Sequence, residues 1–253
     1  MTVIPYIDMY SVRLTSPHHG KATTFLLLFI LGITFSLQSI LGGSFWIIYF
    51  SSVCWHLWIE IGLFVSGMRK GKVFAGVHQL PKSIEILQRA MVEGPAFCVP
   101  AYLISSAESS PNFSLILLGF VLVIMGSLFS AISDYRSIKS IPMEDRVFTR
   151  RAMNNPVGMM VLGICNAMVL FYIALHSETW AYTLAYAASV LIFYIIHFPL
   201  GLRFIQLKDE QTNAYYQPGK GMQGLGLIYD SVYEMTLFIA PAYLIPWSFG
   251  WLP

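Results

Sequence analysis

Charged side chains are scarce in this chain, and their scarcity excludes most soluble architectures. Lys, Arg, Asp and Glu make up 11% of its 253 residues, against roughly 25% in an ordinary soluble domain. Hydrophobic residues supply 56%. Apolar runs of about 20 residues, the length that crosses a bilayer's hydrocarbon, fall near 23–42, 46–67, 85–104, 112–133, 156–176, 180–201 and 226–247. They use more than half of the chain and leave no room for a soluble domain. The runs are long and continuous, so they predict helices and not the short alternating strands of a membrane barrel.

Other absences narrow the field further. The three cysteines, Cys54, Cys98 and Cys165, all lie inside apolar runs with no CxxC spacing, which argues for buried thiols over a redox or disulfide role. Residues 1–22 lack the basic start and cleavage site of a signal peptide. No Gly-rich phosphate loop or nucleophile elbow appears, and the last run has no Lys for a retinal Schiff base. His56-x-x-x-Glu60 could offer two metal ligands, but no second His/Cys pair of matching spacing accompanies it, so neither a metal nor a cofactor is expected.

The basic residues are sorted. The segments before the first run and between runs 2–3, 4–5 and 6–7 hold all of them but Arg89, which sits at the mouth of the third run. Segments 43–45, 105–111, 177–179 and 248–253 hold none. This follows the positive-inside rule and predicts a cytoplasmic N-terminus and a lumenal C-terminus, in the endoplasmic reticulum if the cell is eukaryotic. Orientation accounts for the basic residues, so a nucleic-acid role has no support. The stretches 134–155 and 203–224 then read as solvated cytoplasmic loops. The expected fold is all-α: residues 1–253 as one integral-membrane domain, a seven-transmembrane helix bundle.

A repeat suggests how the spans are related. Glu93-Gly-Pro-Ala-Phe97-Cys-Val-Pro100-Ala-Tyr-Leu-Ile104 matches Glu234-Met-Thr-Leu-Phe238-Ile-Ala-Pro241-Ala-Tyr-Leu-Ile245. Spans 3 and 7 run in the same direction, which fits a 3+1+3 parallel repeat with span 4 as linker.

Ionisable groups inside spans are by default functional hypotheses. Glu60, Glu93, Asp230 and Glu234, with His56, His197 and Asn166, fall at similar depths and can converge in one layer near the basic side. His56 and Glu60 are spaced i, i+4, as are Asp230 and Glu234, so each pair shares a helix face. Carboxyls crowded in an apolar pocket can hold a proton near neutrality and act as general acids. Trp55, Trp58, Tyr229 and Tyr233 could stabilise a carbocation through their π faces. The plainer alternative for His56–Glu60 is an interhelical hydrogen bond, and for the aromatics simple packing.

These residues resemble a family. His56-Leu-Trp-Ile-Glu60 looks like the His-x-x-x-Glu helix of the emopamil-binding sterol isomerases, and Glu93 and Asp134 match further acidic positions there. The span count and Asp230-Ser-Val-Tyr233 look more like the related small integral-membrane terpene cyclases of fungal meroterpenoid and indole-diterpene pathways. Those carry an essential acid in span 2 and another in the last span with Tyr at i+3. The resemblance implies cofactor-independent cyclisation of an (epoxy)isoprenoid, with Glu60 and Asp230 as the acids. Double-bond shift or epoxide opening on a lipophilic substrate uses the same chemistry. A 3+1+3 transporter or a lipid-binding protein remains open; the near absence of charge in the outer halves of the spans weighs against a carrier.

Overall fold

The computed structural model describes residues 8–106, 112–142, 145–153, 160–161, 164, 167–169, 171–172, 175–176, 179–209, 212–233 and 240–253. It is mainly helical. Helices α1 (His19–Leu41), α2 (Phe45–Val65), α3 (Lys82–Ser106), α4 (Phe113–Lys139), α5 (Trp180–His197), α6 (Lys220–Tyr233) and α7 (Ala240–Ser248) coincide with six of the predicted spans. The seventh, 156–176, is described only at scattered positions, mostly helical. The last predicted span is described as α6 and α7, with 234–239 between them outside the described residues. Four helices, α1, α2, α4 and α5, are long and apolar enough to cross a membrane.

These helices are inside out relative to a water-soluble bundle. On α1, Phe25, Leu28, Phe35 and Ile40 are exposed while His19, Thr23, Ile30, Thr34 and Leu37 are buried. On α4 the buried stripe is Gly119, Val123, Ser127, Ala131 and Asp134, at four- and three-residue spacing. Small and polar residues inside, with large apolar ones outside, are what helix packing in lipid requires. Helix α3 carries the charges Lys82, Glu85, Arg89 and Glu93 and packs against α1, α2, α4 and α5. Being surrounded by protein, it can hold ionic groups that a lipid-facing helix could not.

The all-α expectation is corrected by a five-stranded antiparallel sheet, ordered β2-β5-β1-β6-β7. Its strands are β1 (Asp8–Thr15), β2 (Arg69–Lys70), β5 (Val147–Ala152), β6 (Arg203–Lys208) and β7 (Tyr215–Tyr216); β3 (Phe74–Ala75) and β4 (His78–Gln79) form a separate hairpin. The stretches 134–155 and 203–224 are therefore not simply solvated loops. Helix α4 continues to Lys139, and Arg151, Leu202, Arg203, Phe204 and Ile205 are buried. Since β1 precedes α1, β2 follows α2, β5 follows α4 and β6 follows α5, the sheet gathers the same end of these helices.

Register decides which residues meet the helices. Ser11 pairs with Arg151 and Ile205, and Arg151 with Arg69; Arg13 pairs with Thr149 and Arg203. Side chains alternate along a strand, so Ser11, Arg13, Arg69, Thr149, Arg151 and Arg203 share one face. Tyr10, Val12, Leu14, Phe148 and Phe204 take the other, in an apolar cluster that includes Ala131 and Ile138 of α4. Gly71, at φ +148°, is where the chain passes close to β5: a Cβ there would lie 2.8 Å from the Thr149 Cα.

Candidate functional site

The helix-facing side of the sheet brings arginines onto acids. Arg13 Nη1 and Arg89 Nη1 each donate to Glu93 Oε1 at 3.0 Å. Arg89 Nε also reaches Glu85 at 3.3 Å, along the i, i+4 ladder Glu85–Arg89–Glu93. Arg69 Nη2 lies 2.9 Å from Glu60 Oε1. Arg13 Nη2 and His19 Nδ1 each approach Asp134 at 3.7 Å. Asp230 Oδ2 accepts from Ser11 Oγ at 2.7 Å and from the Tyr194 hydroxyl at 2.6 Å. Its Oδ1 pairs with Arg151, and Arg203 Nη1 stands 3.7 Å from Oδ2. Arg203 also donates to the Tyr194 hydroxyl and lies over the rings of Phe193 and Tyr194.

Two cavities meet here. The larger, about 90 Å³, is polar at the sheet end, where Arg13, His19, His56, Glu93, Asp134 and Arg203 border it. Leu26, Val92, Phe97, Leu122 and Phe129 make its deeper, apolar part. The smaller, about 30 Å³, lies between the sheet and α3 and shares Arg13, Glu93 and Arg203 with the first. Burial of the Arg69 guanidinium without full hydration lowers its pKa from the ordinary arginine value, opposed chiefly by the charge of Glu60.

The sequence-predicted residues separate into three groups. His56 and Glu93 border the larger cavity, and Glu93 keeps 24% of its side chain exposed. Glu60 and Asp230 are 0% exposed and border neither cavity. They stand behind it, each holding arginines that do. Their surroundings are ion pairs, where a set of carboxyls sharing protons was expected. His197 packs on the Phe193 ring at 3.8 Å with Nδ1 2.8 Å from the Phe193 carbonyl. Trp58 is 70% exposed on the outer face of α2, and Trp55 and Tyr229 border neither cavity; Tyr229 donates to the Met153 carbonyl. Trp55, Trp58 and Tyr229 therefore do not gather around either cavity as the expected cation cradle. Glu234, Asn166 and the Tyr233 side chain lie outside the described residues. So does the first half of the second Glu–Pro repeat, whereas Pro95 and Pro100 of the first sit within a continuous α3.

His56, Glu60 and Glu93 bring their ligand atoms within 4.8 Å of one another, the spacing of a metal site. Yet guanidinium groups already stand where a metal's charge would go: Arg69 on Glu60, and Arg13 and Arg89 on Glu93. A dication would have to displace or oppose three fixed cations, so the donor set fits an ion-pair network better than a metal.

Sequence reasoning treated the arginines as orientation signals alone and missed Arg13, Arg69, Arg151 and Arg203 as site residues. It likewise missed His19, Ser11 and Tyr194. Comparison with protein-family models, curated proteins and solved structures found no match to this chain.

Proposed function

We propose that the chain is a membrane-embedded, cofactor-independent acid–base enzyme acting on a lipophilic substrate, in the manner of an isoprenoid cyclase or sterol-type isomerase. The observation that carries this reading is the larger cavity, with an apolar, phenylalanine-rich depth and a polar end bordered by His56 and Glu93. His56 Nε2 lies 3.7 Å from Glu60 Oε1 and 3.8 Å from Glu93 Oε2, between two carboxylates. An imidazolium in that position can give its proton to an epoxide oxygen or an activated double bond. The C–O bond then breaks, a neighbouring π bond closes onto the cation, and Glu93 or the imidazole takes the final proton. Electrons balance without an oxidant or reductant. Phe97, Phe129 and Phe193, which border the cavity, replace the predicted Trp55, Trp58 and Tyr229 as faces for the cation.

In this proposal Glu93 and His56 touch the substrate, and Glu60 and Asp230 position the groups around it. Seven spans, with the sheet end in the cytoplasm and residence in the endoplasmic reticulum of a eukaryotic cell, complete the reading; the basic residues gathered at the sheet end support that orientation. Purified protein offered epoxy-isoprenoids or sterols, without added cofactor, tests the chemistry. His56→Gln should lower turnover about 10²- to 10⁴-fold while thermal stability in detergent stays close to wild type. Glu93→Gln should do the same with some loss of stability, because Arg13 and Arg89 lose a partner. Absence of any product, or a His56→Gln variant as active as wild type, would overturn it.

A further inference from the structure

The smaller cavity is bordered by the side chains of five arginines and one carboxylate. Arg13, Arg69, Arg151 and Arg203 come from one face of the sheet, and Arg89 and Glu93 from α3. Arg150 borders it too, but register puts its side chain on the opposite face of the sheet, over the Tyr215 ring at 4.4 Å. The partner acids Glu60, Glu85, Asp134 and Asp230 do not border this cavity. These four acids hold guanidiniums from outside the cavity, while Glu93, on its border, takes one donor each from Arg13 and Arg89.

Some of those donors are unused. Arg13 Nε, Arg69 Nε and Arg89 Nη2 are buried with no hydrogen-bond partner among the described residues. The Arg89 side chain is 4% exposed, so water cannot freely serve it. Buried polar groups left unpaired are uncommon and signal a ligand or bound water. A cavity of about 30 Å³ holds roughly two or three water-sized groups at ~10–15 Å³ each, which suits a small oxyanion. The fork geometry of guanidinium fits phosphate or carboxylate oxygens in pairs.

We infer that this cleft is a subsite for a phosphate-type oxyanion, continuous with the apolar cavity, so that the ligand of the whole site is an amphiphile with an anionic head. This rests on the lipophilic-substrate reading above and narrows its substrate class. The anion sits among Arg13, Arg69 and Arg89, with Arg151 and Arg203 braced by Asp230 on the other side. The chain of the amphiphile passes Glu93 and Arg203 into the space between Leu26, Phe97 and Leu122. Glu93, shared by both cavities, then stands at the junction of head and chain.

Binding, not turnover, tests it, so its outcome is independent of whether His56 is catalytic. Purified full-length protein is titrated with dodecyl phosphate, dodecanol and dodecyltrimethylammonium, following thermal stability and calorimetric heat. Dodecyl phosphate should bind at least about tenfold more tightly than the alcohol, as expected for charge-assisted hydrogen bonds, and the ammonium compound should be weakest. Displacement by millimolar inorganic phosphate would assign the subsite to a free anion as well; no displacement would assign it to a lipid head alone. Thr149→Asp, which places a carboxylate on the arginine face opposite Arg13, should remove the preference for phosphate and raise the melting temperature of the ligand-free protein. Equal binding of the phosphate and the alcohol by wild type would overturn the inference whether or not the variant folds. A folded Thr149→Asp variant that keeps the full phosphate preference would overturn it too.

Discussion

Asp230→Asn separates an anchoring carboxylate from a catalytic one. Asp230 is fully buried, accepts from Ser11 and Tyr194, and faces Arg151 and Arg203. Asparagine has nearly the same shape and keeps one acceptor, but it removes the charge and leaves two buried guanidiniums without their carboxylate. Breaking a buried pair from one side costs about 3–5 kcal/mol. At ~2–4 °C per kcal/mol for a chain of this size, the melting temperature should fall by about 6–20 °C. Thermal unfolding in detergent, followed by size-exclusion fluorescence, reads this directly. Adding Arg151→Gln removes one orphaned cation, so the double variant should be more stable than the sum of the single losses, with a coupling of ~0.5–3 kcal/mol. A melting temperature within about 2 °C of wild type, with additive single and double variants, would refute the anchoring role and return Asp230 to the part of a proton donor.

Two further outcomes are expected. A cysteine introduced at Asn112 should be labelled by an impermeant reagent from the lumenal side and one at Ser140 only after permeabilisation, since the exposed Ser140 belongs to the sheet end with its basic residues; the opposite labelling would invert the topology. The Tyr10 hydroxyl is pushed up to about 12 by burial and by Asp8, which accepts its hydrogen bond. A folded pKa above the unfolded value of ~10 contributes stability that is intact below pH ~10 and is lost as pH rises through the folded value. Wild type should therefore lose stability relative to Tyr10→Phe between about pH 10 and 12, and parallel pH curves for the two would contradict it.

The helices were legible because continuous apolar runs of about 20 residues stand out in the sequence, and α1 to α5 overlap those runs. The sheet was legible too, though it was not read. Tyr10-Ser11-Val12-Arg13-Leu14-Thr15 alternates apolar and polar along its length, the pattern of a strand with one apolar face. Arginines within strands were instead absorbed into the count of basic residues between spans. That count is blind to whether a basic side chain is solvated or turned inward. The i, i+4 ladder of Glu85, Arg89 and Glu93 was equally visible and would have identified α3 as a helix shielded by protein. Sequence depth assigned Glu60 and Asp230 to one layer, and each meets an arginine of the sheet. It could not tell which acids face the cavity, because that depends on the partner a neighbouring strand supplies. Trp58 was placed inward by residue type alone, whereas it stands 70% exposed on the outer face of α2, the orientation that suits a helix packed in lipid.

The arginine face of the sheet explains how so many acids can be buried at one end of this bundle. A carboxylate in the interior is costly unless a charged partner and hydrogen bonds replace its water. On its own helix, α2, Glu60 meets His56 at 3.7 Å one turn back, and the turn beyond it is apolar up to Ser66. Strand β2 follows directly and turns Arg69 back onto it. Asp230 likewise depends on Arg151 from β5, Arg203 from β6 and Ser11 from β1, three strands that meet only in the assembled sheet. Ion pairing thus couples the sheet to the bundle, and neither can form its polar layer without the other. The same dependence sets the roles within the site. Glu60 and Asp230, fully buried in such pairs, border neither cavity. Glu93 also accepts from Arg13 of β1 and from Arg89, but it is less buried and reaches the cavity beside His56, which is why the proposed chemistry is assigned to that pair.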